Sequence, residues 1–291
     1  MLDPYRIEPY SDFTVIAAKA AYELAIAGVE AQLGGHGPLV INGEEIRSGD
    51  PIRSVNPSRP DQVVGMASSA NSDQVDAAIA AAWDAYPSWA ATPAERRAAL
   101  VSRLGDLIAS RKYEFAAWQT FEAGKNWGEA EADVAEAIDF CHYYAHQALA
   151  MAEPVPVHEY PGERNESWLQ PIGAGAVIPP WNFPLAILAG MTIGPVAAGN
   201  TVVLKPASNT PMVGWGFMRA VADAGFPPGV INFVPGSGSA IGDHLVDHPK
   251  IRFVNFTGSK EVGLRIAQRA AVVHPGQRWL KRAYMEMGGK D

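Results

Sequence analysis

The sequence predicts an α/β protein: a doubly wound, mostly parallel sheet preceded by an N-terminal helical block. Three observations carry that reading. From residue 171 onward, five short apolar stretches alternate with four helix-like ones. Between residues 72 and 152 the apolar spacing is helical throughout. Each predicted strand of the second half ends in a polar or glycine-rich turn, where such sheets bind ligands.

Taken in order, Ala17–Leu33 is Ala- and Glu-rich and reads as a helix ending at Gly34-Gly35. Residues 38–46 hold an Asn-Gly pair between apolar runs, the signature of a tight hairpin. Two more strands follow at Ile52–Val55 and Val63–Ala67, joined through Asn56-Pro57-Ser58. Ser72 is a candidate N-cap for a helix over residues 73–85, and Thr92 with Pro93 opens the next. Leu100, Leu104, Leu107 and Ile108 share one face of that helix. Helices over 113–123 and 129–152 complete the block.

Residues 153–170 then break the pattern with prolines, a Pro-Gly turn and short alternation, predicting a polar extended arm. Strands follow at 175–179, 201–205, 230–234, 251–256 and 280–287, with helices at 184–198, 211–224, 239–246 and 259–271. The expected organisation is therefore 1–152 hairpin and helical block, 153–170 arm, and 171–291 nucleotide-binding sheet.

Composition narrows the function. With 48% hydrophobic residues in 291, the chain buries a sizeable core. A formal charge of −8 disfavours nucleic acid and anionic membranes as partners, because phosphate backbones call for a basic surface. No stretch has the basic start and apolar run of a signal peptide, and the longest apolar run, 184–199, is broken by glycine and proline. A single cysteine, Cys141, excludes an internal disulfide and suits a reducing cytoplasm. Its position inside a helix beside His142 reads as a core thiol, since neighbours at i and i+1 face different ways. His244 and His248 are four apart, but no carboxylate cluster accompanies them and no metal is expected.

The strand ends supply the candidate site. They read Pro180-Trp181-Asn182-Phe183, Lys205-Pro206-Ala207-Ser208, Pro235-Gly236-Ser237-Gly238, Thr257-Gly258-Ser259 and Glu286-Met287-Gly288-Gly289. Gly236, Gly238 and Gly242 follow a strand and open a helix, with the third glycine one residue later than in the common dinucleotide loop. The pattern suits a phosphate approach and equally a plain tight turn. Thr257-Gly258-Ser259 suits an anion at a helix N-terminus and equally a simple N-cap. Lys205 is either a solvated strand end or a donor to ribose or phosphate oxygens. Asn182, held between Pro-Trp and Phe-Pro, has an amide suited to an oxyanion, although asparagine in turns is commonly structural. Glu286 is a surface carboxylate or a general base.

In this order, Pro180-Trp181-Asn182-Phe183-Pro184, Lys205-Pro206-Ala207-Ser208, Phe256-Thr257-Gly258-Ser259 and Glu286-Met287-Gly288-Gly289-Lys290 resemble the aldehyde dehydrogenase superfamily. Residues 121–127, 132–140, 161–167 and 281–284 resemble its 1-pyrroline-5-carboxylate (L-glutamate γ-semialdehyde) dehydrogenases of proline catabolism. The resemblance implies a Rossmann-like cofactor domain, NAD as cofactor and a small aldehyde as substrate. It implies that Asn182 faces the oxyanion, and that Glu286 activates the water that releases the product. Lys205 and Ser208 would hold the adenosine ribose, and Gly258 and Ser259 would meet the pyrophosphate. Gly238 would lie on the adenine side, with Pro180 and Trp181 completing the cofactor contacts. Phe183 and Glu136 would line the aldehyde pocket. Full-length members would be homo-oligomers, with 153–170 as the subunit-contact hairpin.

The family's nucleophilic cysteine lies beyond the Glu-x-Gly-Gly-Lys segment, and Cys141 does not align with it. The expectation is thus a chain holding the cofactor part without the catalytic domain, inactive and poorly soluble alone. A non-catalytic dinucleotide-binding module and a reductase of acyl phosphates or acyl-CoA are the alternatives; a water-activating Glu286 favours the hydrolytic dehydrogenase. Ser208 leaves room near the ribose 2′ position, so preference between NAD and NADP stays open.

Overall fold

The structure, a computed structural model, describes residues 2–289. Its first half holds α1 (Ile16–Glu30), β1 (Gly35–Gly37), β2 (Leu39–Ile41), β3 (Glu44–Ile46), β4 (Ile52–Asn56) and β5 (Arg59–Ala67), followed by four helices. These are α2 (Ser72–Ala90), α3 (Ala94–Ser110), α4 (Lys112–Ala123) and α5 (Trp127–Ala152). The hairpin forms as read: Asn42 and Gly43 take φ of 53° and 79°, the left-handed pair that a two-residue turn between twisted strands requires.

Two helix caps differ from the expected ones. Asn71, not Ser72, caps α2, because its side chain accepts the Gln74 N–H while the Gln74 side chain returns to the Asn71 N–H. Pro93 is itself the cap of α3 in extended geometry, so the helix begins at Ala94. Along α3, Leu104 and Ile108 are fully buried, with Leu100 and Leu107 packed at the edge of the same core. Residues 153–170 form no helix and are exposed; one bridge, Val155 to Ser167, closes the arm.

The second half alternates strictly. It runs β6 (Ala174–Ile178), α6 (Ala186–Ala197), β7 (Thr201–Leu204), α7 (Pro211–Ala224), β8 (Ile231–Phe233), α8 (Asp243–Asp247), β9 (Phe253–Gly258), α9 (Lys260–Ala270) and β10 (Arg282–Met287). The sheet order is β10-β9-β6-β7-β8-β2-β3, with β6 to β10 all parallel. The N-terminal hairpin extends this sheet antiparallel, Val40 pairing Phe233. A separate sheet of three strands is ordered β1-β5-β4.

Burial on both faces explains why β6 and β7 read as near-continuous apolar runs instead of alternating ones, and in β8 the buried Asn232 is hydrogen-bonded to the Asn42 N–H and the Gly229 carbonyl. One face packs under α2, α8 and α9, with Ile79, Val203, Val254 and Leu245 among its core residues. The other packs under α6 and α7, backed by α3, α4 and α5, around Val177, Leu204, Phe217 and Ile138. Packing at the centre is close: a Cβ on Gly175 would lie 2.1 Å from the Phe253 ring, so only glycine fits there.

Candidate active site

The chain winds from β6 outward through β7 to β8, then returns to lay β9 on the other side of β6 and β10 beyond it. The reversal leaves a crevice at the carboxyl ends of β6 and β9, where open α/β sheets bind their ligands. The sequence-predicted residues fall into two groups, one on the turns after β7, β8 and β9 and one toward α6, with Glu286 on β10.

The first cluster forms where β7 and β8 end. Lys205 is 6% exposed, and its Nζ donates to the carbonyls of Pro206 at 3.0 Å and Gly236 at 3.3 Å. Ser208 Oγ donates to the same Gly236 carbonyl at 3.2 Å. Among the described residues no carboxylate pairs with the ammonium, and burial pulls its pKa down to about 8. An ammonium has three N–H donors, and the two carbonyls take two. The third suits a hydroxyl or other acceptor brought in from outside.

The glycine loop follows. Gly236 is a packing glycine, because a Cβ there would meet Ile241 at 2.4 Å. A Cβ on Gly238 or Gly242 would meet nothing within 4 Å. The fold itself therefore does not demand those two, and they leave open space at the crevice. The expected single helix over 239–246 is instead a π-turn, Gly238–Gly242, running into the short α8. Ser237 caps that turn, accepting the Ala240 N–H at 3.1 Å. Thr257 and Gly258 are the last residues of β9, which runs two residues past the expected strand. Ser259 is exposed and caps α9, accepting the Val262 N–H at 3.4 Å. Its hydroxyl oxygen accepts from the helix while its O–H proton stays free to donate, so both that hydroxyl and the first-turn N–H groups of α9 suit an anion.

The second cluster lies toward α6. Pro180 is buried, whereas Trp181, Asn182 and Phe183 stand exposed on the turn after β6. The helical block holds that turn. Asp133 of α5 accepts the Ala186 N–H at 2.6 Å on one oxygen and the Lys125 ammonium at 2.7 Å on the other. Lys125 also sits 4.2 Å from the centre of the Phe183 ring. Asp133 is buried, and desolvation raises its pKa against the pull of Lys125 and the backbone N–H groups. Glu136, one turn along α5, is partly buried; burial first, then the nearby charges of Asp133 and Asp139, raises its pKa while Lys125 opposes. The sequence reading missed both Lys125 and Asp133, although its quoted segments contain them; no spacing rule pairs residue 133 with residue 186.

Glu286 pairs in register with Thr257, so both face the α6 side of the sheet, where the Thr257 hydroxyl meets Met191 at 3.3 Å. The carboxylate is exposed. It touches the rim of a cavity of about 950 Å³ lined by Phe140, Tyr144, Met191, Phe253 and Tyr284. Asn182, Phe183 and Glu136 are not among its walls, nor are the cofactor candidates. Of the candidate residues only Glu286 lines this cavity. Lys290 of the last motif lies outside the described residues. Cys141 is fully buried in α5, and burial pushes its thiol up to about 12. Among the described residues no group of three or more His, Cys, Asp or Glu side chains could hold a metal ion, and no helix is long and apolar enough to cross a membrane.

Comparison with known proteins sets this geometry in a family. The chain is 50% identical over all 291 residues to a 1-pyrroline-5-carboxylate dehydrogenase of Geobacillus kaustophilus, covering 56% of that protein. It is 51% identical over the same span to 1-pyrroline-5-carboxylate dehydrogenase 2 of Halalkalibacterium halodurans, again covering 56%. The chain thus spans about half the length of the curated relatives it matches. Among solved structures, the 1-pyrroline-5-carboxylate dehydrogenase from Thermus with bound NAD superposes with a TM-score of 0.98 at 49% identity. That match covers 99% of this chain and 56% of the Thermus chain. The Aldehyde dehydrogenase family pattern matches residues 45–291. The chain belongs to the aldehyde dehydrogenase family.

Proposed function

We propose that this chain is the NAD-binding part of an enzyme that oxidises L-glutamate γ-semialdehyde, the open form of 1-pyrroline-5-carboxylate, to L-glutamate. The observation that carries the reading is the buried Lys205 ammonium, which among the described residues has only carbonyl partners and shares Gly236 with Ser208. Burying a charge without a counter-ion is costly, and a ligand that completes its hydrogen bonds gives that cost a purpose. The Thermus relative with bound NAD supports the identity of the ligand.

In this reading Lys205 donates to the adenosine ribose, and Ser208, whose hydroxyl proton goes to Gly236, accepts from a ribose hydroxyl. The open space at Gly238 admits the adenine side, beside Pro180 and Trp181, and Gly258 with the first N–H groups of α9 takes the pyrophosphate. NAD, when bound, supplies the hydride acceptor. Asn182 donates its amide N–H to the oxygen that gains charge as a nucleophile adds to the aldehyde. Glu286 takes the proton from the water that releases the product acid. Phe183 and Glu136 border the aldehyde, Phe183 being fixed by Lys125. The arm 153–170 serves as a subunit contact in the cytoplasmic enzyme.

Cys141 is not the nucleophile, because a fully buried thiol with its pKa near 12 offers no thiolate to substrate. The chain by itself is therefore expected to bind NAD without oxidising the aldehyde. The test incubates the purified chain with NAD and 1-pyrroline-5-carboxylate and follows NADH absorbance. No formation above buffer is the expected result; formation that survives Cys141→Ala contradicts it.

A further inference from the structure

Glu122 lies at the end of α4, and its buried carboxylate spans three elements. One oxygen accepts the Ser54 hydroxyl of β4 at 2.6 Å and the Met212 N–H of α7 at 2.9 Å; the other accepts the Val213 N–H at 2.7 Å. These facing groups are all neutral. The ionic link between α4 and α7, Glu114 with Arg219 at 3.4 Å, lies about two turns away along α4. Burial pushes the Glu122 pKa up to about 7 despite the three donors.

A cheaper cap was available. Thr210 stands at the N-cap of α7, yet its side chain makes no capping bond. The helix start is held instead by a costly buried carboxylate from another element. Such a bond fixes where α7 begins relative to α4 and β4, which a local cap does not do.

What it fixes is the cofactor loop. Residues 205–212 run without interruption from Lys205 to Met212. Pro206 and Pro211 lock φ near both ends, and the Thr210 N–H closes a turn onto the Ala207 carbonyl at 3.2 Å. At the far end Lys205 and Ser208 share the Gly236 carbonyl. A short, stiff, hydrogen-bonded path therefore joins Glu122 to the two ribose-facing side chains. We infer that Glu122 is a positioning residue for the cofactor, holding the start of α7 so that Lys205 and Ser208 face the ribose together. The inference rests on the NAD reading above.

The test is a double-mutant cycle on NAD affinity, measured by calorimetry on the full chain. Glu122→Gln presents an amide N–H to one backbone donor and is expected to weaken NAD about tenfold. In the Ser208→Ala background the same change should cost at least threefold less, because the loop it positions is already impaired. Ser54→Ala, which leaves the carboxylate and α7 intact, keeps the cycle readable if Glu122→Gln does not fold; it is expected to weaken NAD about threefold. Variants that melt earlier but bind NAD within twofold of wild type assign Glu122 a structural role only, and so does equal loss in both backgrounds. A wild-type chain that does not bind NAD overturns the cofactor reading, and the inference with it.

Discussion

Asp133 and Lys125 meet at 2.7 Å in the buried seam between the helical block and the sheet, and the same carboxylate takes the Ala186 N–H at 2.6 Å. One side chain thus satisfies an orphan donor in the first turn of α6, neutralises a half-buried ammonium and, through Lys125, backs the Phe183 ring. The turn bearing Asn182 is braced from outside the sheet.

Breaking this contact leaves a half-buried cation and an unmet N–H. Asp133→Ala is expected to cost about 3 to 5 kcal/mol of unfolding free energy. Urea titration measures it, and a midpoint indistinguishable from wild type rules the bracing role out.

Lys205 predicts opposite changes in stability and binding. Its folded pKa is lowered from 10.5 to about 8, so between those values the unfolded chain holds a proton that the folded chain has lost. Stability therefore rises with pH across that window, and the penalty is fully present below about 8. Lys205→Met should stabilise the fold at pH 7 by up to about 3 kcal/mol and abolish the slope. In wild type, NAD affinity should fall as pH rises through about 8, as the ammonium loses its charge. Thermal melts and titrations at pH 7 and 9 check both signs; a destabilised Lys205→Met variant contradicts the account.

Gly238 separates packing from ligand approach. A Cβ there meets nothing within 4 Å, so Gly238→Ala should change stability by no more than about 0.5 kcal/mol. Gly238→Leu should weaken NAD at least tenfold with folding retained, read by calorimetry beside a melt. Unchanged affinity in the leucine variant removes this loop from the site.

Cys141 should resist a thiol reagent such as a disulfide chromogen in the native chain and react fully in denaturant. Fast native labelling contradicts its burial.

Much of the fold was legible because its signals are local. The Asn42-Gly43 turn, Pro211 opening α7 and the continuous apolar strands each carry their own structural reason within a few residues. The strand-end motifs were legible for the same reason. The braces were not: Glu122 reaches residues 212 and 213, Asp133 reaches 186, and no local pattern encodes contacts over such separations. Asn71 and Ser72 are both good caps side by side, and the choice fell to Gln74, whose side chain completes the reciprocal pair. The π-turn at 238–242 follows from neither propensity nor spacing. Ser259 was legible as an N-cap, and its oxygen caps α9 by accepting the Val262 N–H.

The central claim, an NAD site at the carboxyl ends of this sheet, is met most directly by calorimetric titration of NAD into the purified chain and its Lys205→Met variant. The account predicts saturable binding with one NAD per chain in wild type, and none in the variant, although the variant is the more stable protein. Absence of binding in the folded wild type, or equal affinity in both, contradicts it.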